Sequence, residues 1–446
     1  MKTDVVIVGG GPAGSSMAMF LARDGISSVI LEKETFPRFH IGESMTGETG
    51  GLIRNLKLEH KMENPDNVCI KLGLTVYGND KGSQWYVPVK ARDKDWNLYD
   101  QPTWQIRRSW FDKMMLDSAR ERGVPVLPGA ATKPLFHDDG SVRGVQVQMA
   151  DGGLQDIEAD MVVDASGQHT FLANAGVTSR KFRGNYDKQI ALFSHFAGAV
   201  RDPGPHAGDT LIFYQAKYHW GWFIPIDQEV TSIGIVTPAA YFLSKGENKK
   251  AFLLRELKDL NHELARRTAE VQLVDEVRAT PNYSFQVKDY TGKGFMCIGD
   301  SHRFVDPIFS FGLIVAMKEA QHGARAIQAY LNGKDRDLPN PFAAHQKFVD
   351  IGTDVYEDIT DLFWDYPVVF ALLSHQRHPD EMTDALAGRL FENPTGPILD
   401  TAAKLLKRRP GDRTNGAPNG SRYHDDPLRE RRNPDALEYT AVAIPT

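Results

Sequence analysis

The chain has 446 residues, and at about 100 to 200 residues per domain that length points to two or three packed units around a large core. Hydrophobic residues make up 41% and charged residues 25%, which is too apolar for a disordered chain. With 52 Lys+Arg against 58 Asp+Glu, the net charge of −6 offers no general basic surface for counterion release, so nucleic acid is not expected as a partner.

In chain order, Asp4 to Val8 reads as a buried parallel strand, Gly14 to Arg23 as a helix closed by Gly25, and Ser28 to Glu32 as the next strand. This is a βαβ opening. Residues 50 to 105 are mixed and rich in aromatics. Trp110 to Arg122 returns to helix, with Phe111, Met114, Met115 and Ala119 on one side. From Val124 to Val163 short strands alternate with turn signals, as in a meander. Alternating strands follow at Thr210 to Tyr214, Gly221 to Ile226 and Thr231 to Val236, with a charged helix near Lys249 to Ala269. A strand at Gly294 to Ile298 leads to a long helix from Gly312 towards Leu331, and a helical region runs from Pro341 to about Leu406.

The expected fold is therefore α/β: a Rossmann-like dinucleotide domain, an inserted antiparallel β-sheet substrate domain and a helical C-terminal region. The division expected is 1–190 with 285–340, then 191–284 with about 65–105, then 341–406, and a mobile tail at 407–446. Cys69 and Cys297 lie far apart without a CxxC spacing, which argues against a disulfide framework, a zinc site or a redox pair. No metal site is expected. Residues 1 to 3 run directly into a strand and the longest apolar stretch, around Pro367 to Leu373, cannot span a bilayer. A cytoplasmic protein without stable membrane insertion is expected.

Gly9-x-Gly11-x-x-Gly14 sits between the predicted strand and helix, where glycines permit a tight turn, close approach to a pyrophosphate and close helix packing. The helix N-terminus then faces the phosphates with unpaired N–H groups. Glu32 closes the second strand, in place to accept hydrogen bonds from a ribose. The full string Val8 to Ser16, with Ala13 after Pro12, resembles FAD-binding flavoproteins, and Asp164-Ala-Ser-Gly167 and Cys297-Ile-Gly-Asp300 support the resemblance. It implies that Asp300 reaches the ribityl chain and that Arg108, or its neighbour Arg107, approaches the flavin. Lys33, Arg38 and Ser44 fall in segments that resemble the cofactor side of such proteins, although a buried salt bridge is an alternative role for Arg38.

Two further patterns narrow the family. Trp220-x-Trp222-x-Ile224-Pro225 puts both indoles on one strand face, and Phe304-x-x-Pro307-x-x-Ser310-x-Gly312 precedes the long helix. Together they resemble the flavin-dependent halogenases, at every defined position. Val68-Cys-Ile-Lys71-Leu-Gly73 resembles the segment carrying the active-site lysine of halogenases of phenols and pyrroles. The resemblance covers about residues 1 to 400.

It implies a two-component enzyme in which FAD, used as FADH2 from a separate NAD(P)H-dependent flavin reductase, reacts with O2. A flavin hydroperoxide would then oxidise chloride or bromide to hypohalous acid. The backbone N–H groups of Phe311 and Gly312 would bind the halide, beside a loop shaped by Pro307 and containing Ser310. Lys71 would carry the oxidant onward, as a haloamine or by hydrogen bonding, and Trp220 and Trp222 would keep an organic substrate from the flavin. Phe309 stands where tryptophan halogenases have a glutamate, so an activated arene, a phenol or pyrrole either free or tethered to a carrier protein, is expected rather than indole. Residues Tyr356 to Arg377 are expected over the substrate cavity or in a plain helical core, and Asp361 or Asp365 is the alternative base. The rival readings are a one-component aromatic hydroxylase, a geranylgeranyl-type reductase and a non-catalytic flavin-binding module.

Overall fold

The computed structural model describes residues 1–183, 188–281 and 283–406. The tail expected at 407–446 lies outside the described residues.

The first strand, Lys2–Val8, is parallel to both Ser28–Glu32 and Leu154–Asp164, and Phe295–Cys297 continues the sheet beyond the latter. Val5 to Val8 are all buried because this strand is covered on both faces. Val5 and Ile7 join the main core with the helix Pro12–Arg23, whereas Val6 and Val8 face a second cluster with Phe171 and Tyr290. The expected meander is Val126–Phe136, Val142–Met149 and Leu154–Asp164. Its outer strands also enter the parallel sheet, so it is an extension of the seven-stranded sheet.

A second sheet of eight strands contains Gln189–Ala197, Val230–Pro238, His219–Pro225 and Thr210–Ala216 as antiparallel neighbours. Thr210–Ala216 then pairs in parallel with Gly73–Tyr77, which pairs antiparallel with Gln84–Pro88. The parallel joint falls where two remote stretches of chain meet, because no hairpin dictates their relative direction. On one face Trp220, Trp222 and Ile224 enter the main core; on the other, Phe213, Phe223 and Ile233 pack on Leu253, Leu257 and Leu264. Those leucines belong to or follow Lys249–Asp259, and the charged stretch breaks there into a second helix, His262–Arg267. Asn261 explains the break, since its side chain accepts the Glu263 N–H as a fresh N-cap and donates to Gly78.

The C-terminal region is built on the helices Gly312–Leu331 and Ala343–Asp365. The second stops before Pro367, whose ring disfavours helix at the preceding residue, and Pro367–Leu372, Pro379–Ala387 and Pro397–Leu406 each restart with proline in the first turn or at its head. Among the described residues no helix is long and apolar enough to cross a membrane.

Candidate active site

The glycine loop is shaped by contacts that admit no side chain. Gly9 has φ +107, and a Cβ there would lie 2.4 Å from the Ala165 carbonyl oxygen; a Cβ at Gly14 would lie 2.0 Å from the Gly9 oxygen. Gly11 is the N-cap of Pro12–Arg23, with no side chain capping that end and no acidic residue in its first turn. The N–H groups there and the positive end of the helix dipole fit a pyrophosphate. Glu32 accepts the Gly10 N–H at 2.7 Å and the Glu34 N–H at 2.8 Å, which ties the strand end to the loop. Ala13 packs at the edge of the core, and Lys33 is exposed beside Glu32.

Arg38 and Arg108 meet through Asp112, a fully buried carboxylate. Arg108 donates Nε and Nη2 to it at 2.7 and 3.0 Å, and Arg38 donates Nη1 at 2.9 Å. Burial alone would push the Asp112 carboxyl up, but Arg108 and Arg38 outweigh it and hold it below the usual range. Arg108 also donates to the carbonyls of Ile41 and Gly42 and is buried, so it braces the loop before Ser44. Arg38 thus takes the ion pair that was its alternative role, and its guanidinium also lies 3.7 Å from where a Gly11 Cβ would stand. Arg107 points away, to Asp227.

Asp300 lies in the turn Gly299–Ser301, against the helices Pro12–Arg23 and Gly312–Leu331; a Cβ on Gly299 would touch Ala316 at 3.2 Å and Ala13 at 3.5 Å. Burial pushes its carboxyl up to about 6, against the pull of Arg108.

Lys71 ends the strand Val68–Lys71, paired with Thr103–Ile106. Its ammonium is buried, donating to Ser44 Oγ at 2.9 Å and to the Met45 carbonyl at 3.0 Å. Ser44 Oγ lies 3.0 Å from Thr210 Oγ1, which accepts from Gln105 Nε2 at 2.7 Å. Ser44, expected on the cofactor side, thus serves Lys71, and its hydroxyl can accept from an ammonium or donate to a neutral amine. Burial pulls the Lys71 pKa down to about 8, with Asp209 opposing. Asp209 Oδ1 accepts the N–H groups of Leu72 and Gly73 at 2.7 and 2.8 Å, fixing the turn that follows the lysine.

In the loop before the long helix, Ser310 takes the left-handed conformation at φ +61, and Pro307 O accepts its N–H at 3.1 Å. No side chain caps the helix that follows Phe311, its first turn has no acidic residue, and a Cβ on Gly312 would meet nothing within 4 Å. Phe311 stacks on Tyr356 at 4.0 Å, and Phe309 stacks on Phe370 at 5.5 Å with Phe363 edge-on at 5.3 Å.

One cleft brings the two halves together: Lys71, Thr210, Phe309 and Ser310 line it, with Gly47 and Leu386 towards its half-buried rim. Trp220 and Trp222 do not line it. They stand 6.0 Å apart in the core, with Trp364 at 6.5 Å from Trp220, and a Cβ on Gly234 would strike the Trp222 ring. Trp222 Nε1 donates to Ser232 Oγ. Asp112, Asp209 and Glu319 were not singled out in the sequence. The Arg108–Asp112 spacing of four on a helix was a readable signal; Asp209 and Glu319 act across the fold and left none.

Residues 2–338 match the family described as FAD binding domain. The chain is 35% identical over 393 residues, 87% of its length and 92% of the relative's, to a 1H-pyrrole-2-carbonyl-[peptidyl-carrier protein] brominase of Pseudoalteromonas luteoviolacea. It is 26% identical over 425 residues, 90% and 93% of the two chains, to the corresponding chlorinase of Pseudomonas fluorescens. The solved structure of the flavin-dependent brominase Bmp2 superposes with a TM-score of 0.85 at 34% identity, covering 91% of this chain and 98% of that one. The chain belongs to the FAD-binding domain family and, within it, to the flavin-dependent halogenases. It is an enzyme that uses FAD.

Proposed function

We propose that this halogenase oxidises chloride or bromide with O2 and FADH2 from a separate NAD(P)H-dependent reductase, and that Lys71 passes the oxidant to a pyrrole or phenol. The observation that carries the reading is the cleft shared by Lys71 and Ser310, with the lysine buried and its pKa lowered to about 8. Bound here, FADH2 would supply two electrons and the halide two, enough to take O2 to one water and one hypohalous acid. Gly9, Gly11, Ala13 and Gly14 would hold the pyrophosphate, while Glu32, Lys33, Arg38, Arg108 and Asp300 would frame the cofactor. The N–H groups of Phe311 and Gly312 would hold the halide at the uncapped helix end, on the path shaped by Pro307 and Ser310.

At Lys71 the neutral amine would displace hydroxide from halogen, giving a haloamine and water, and the arene would then take the halogen and return the amine. Trp220 and Trp222 fill the space between sheet and C-terminal helices, where their bulk behind the cleft would keep an arene from the flavin side. None of the residues lining the cleft carries a carboxylate, so a ring activated by nitrogen or oxygen fits it. The names of two relatives favour a pyrrole tethered to a carrier protein.

The test is aerobic turnover with a flavin reductase, FAD, NADH and mixed chloride and bromide. Carrier-bound pyrrole, free pyrroles and phenols are screened by mass spectrometry for halogen isotope patterns. Lys71→Ala is expected to consume reduced flavin at an unchanged rate yet lose nearly all product, and Lys71→Arg to fail as well, because a guanidinium does not deprotonate. A Lys71→Ala enzyme with full product yield removes the lysine from the mechanism.

A further inference from the structure

Seven residues beyond Gly312, the long helix carries Glu319, whose side chain is wholly buried. Its Oε2 accepts the Gly299 N–H at 2.5 Å, and both carboxylate oxygens lie 3.0 Å from His302 Nε2. His302 is held in turn by Tyr290, stacked on it at 4.1 Å with its hydroxyl donating to Asp350 at 2.9 Å. Ser301 Oγ donates to the Asp164 carbonyl at 2.6 Å. The Gly299–Ser301 turn is therefore pinned from both sides, with Asp300 between the pins.

We propose that Glu319 is a positioning residue of the FAD site: its carboxylate fixes the Gly299–Ser301 turn and, with it, Asp300, the side chain that turn offers the cofactor. The inference rests on the cofactor reading and not on halogen delivery through Lys71, so a failure of either leaves the other distinguishable. A buried N–H left without its acceptor is expensive, so the Glu319 carboxylate holds the Gly299 backbone in place at this depth. The groups that face Asp300 are Arg108 from the helix Arg108–Glu121, Glu319 from the long helix, Gln168 from the turn Gly167–His169, His302 from its own turn, and Lys181. Burial is the main cause that raises the Asp300 carboxyl to about 6; Glu319 adds to it, and Arg108, Gln168 and His302 pull the other way. Asp300 is thus ionised at neutral pH and becomes neutral as pH falls through about 6, losing its strength as an acceptor for a cofactor hydroxyl.

The experiment is titration of the flavin-free full chain with FAD, read by flavin fluorescence between about pH 5 and pH 8. Wild-type affinity is expected to fall on the acid side, below about 6. Glu319→Gln keeps an oxygen for the Gly299 N–H, with His302 shifting its proton to Nδ1, but removes the charge; the acid fall should move to lower pH. Glu319→Ala removes the acceptor as well and should weaken FAD binding about ten-fold at pH 8. Asp300→Asn should abolish the acid fall. An unmoved fall in a normally folded Glu319→Gln protein, or a fall that survives Asp300→Asn, overturns the proposal; if Glu319→Ala does not fold, Glu319→Gln decides alone.

Discussion

Lys71 shows how one buried side chain can be read for both chemistry and stability. Its folded pKa of about 8 lies below the value of about 10.4 expected in the unfolded chain, so between these limits the unfolded state holds the proton that the folded state has released. Stability from this group therefore rises with pH across that window, and the burial penalty of the ammonium is present in full below it. Urea unfolding of wild type and Lys71→Met checks the sign: the advantage of Met over Lys should shrink as pH climbs through the window, and a constant difference contradicts it. Product formed per reduced flavin consumed should also rise through about pH 8, as the neutral amine appears. A flat profile rules out the haloamine route in favour of a hydrogen-bonding ammonium.

At the scale of elements, the lysine depends on a turn held by a residue more than a hundred positions away. Asp209 accepts the N–H groups of Leu72 and Gly73, and its neighbour Gly208 leaves so little room that a Cβ would lie 2.1 Å from the Ile70 oxygen. Asp209→Ala should destabilise the protein by about 2–3 kcal/mol and lower product yield with flavin oxidation preserved, while Asp209→Asn, which keeps an oxygen acceptor, should stay near wild type. Chemical denaturation and the coupled assay measure the two effects separately. This contact was invisible in the sequence, where Asp209 is one acid among 58 Asp+Glu. The glycine loop was visible because its chemistry is local, as strand, turn and helix follow one another within Lys2–Arg23. The two tryptophans were placed on one face by the period of a strand, but their distance from the cleft depends on how the sheet meets the C-terminal helices.

For the whole molecule, the aromatic region Tyr356 to Arg377 contributes to the helical core and does not itself line the cleft. Phe363, Trp364 and Phe370 are core residues, yet Phe363 and Phe370 support Phe309, which walls the cleft. Asp361 and Asp365, the alternative bases, do not line it, and Asp365 is ion-paired with Lys217 at 2.5 Å. A matched panel under one set of conditions should then follow ring electron density: pyrroles and phenols convert fastest, indoles slowly and unactivated benzenes not at all. Faster conversion of free tryptophan than of any pyrrole or phenol would count against a cleft without a base.

The helix Gly312–Leu331 has its exposed glycine at one end and Glu319 seven residues along. At about 1.5 Å per residue these two points are about 10 Å apart along the axis, and at about 100° per residue their relative direction is fixed as well. In the proposed cofactor site the rod would act as a ruler between the halide-binding helix end and the Gly299–Ser301 turn. Inserting or deleting a single residue between them would swing the carboxylate about 100° away from Gly299. Length variation in descendants of this chain is accordingly expected before Gly312 or after Glu319, and not within that interval.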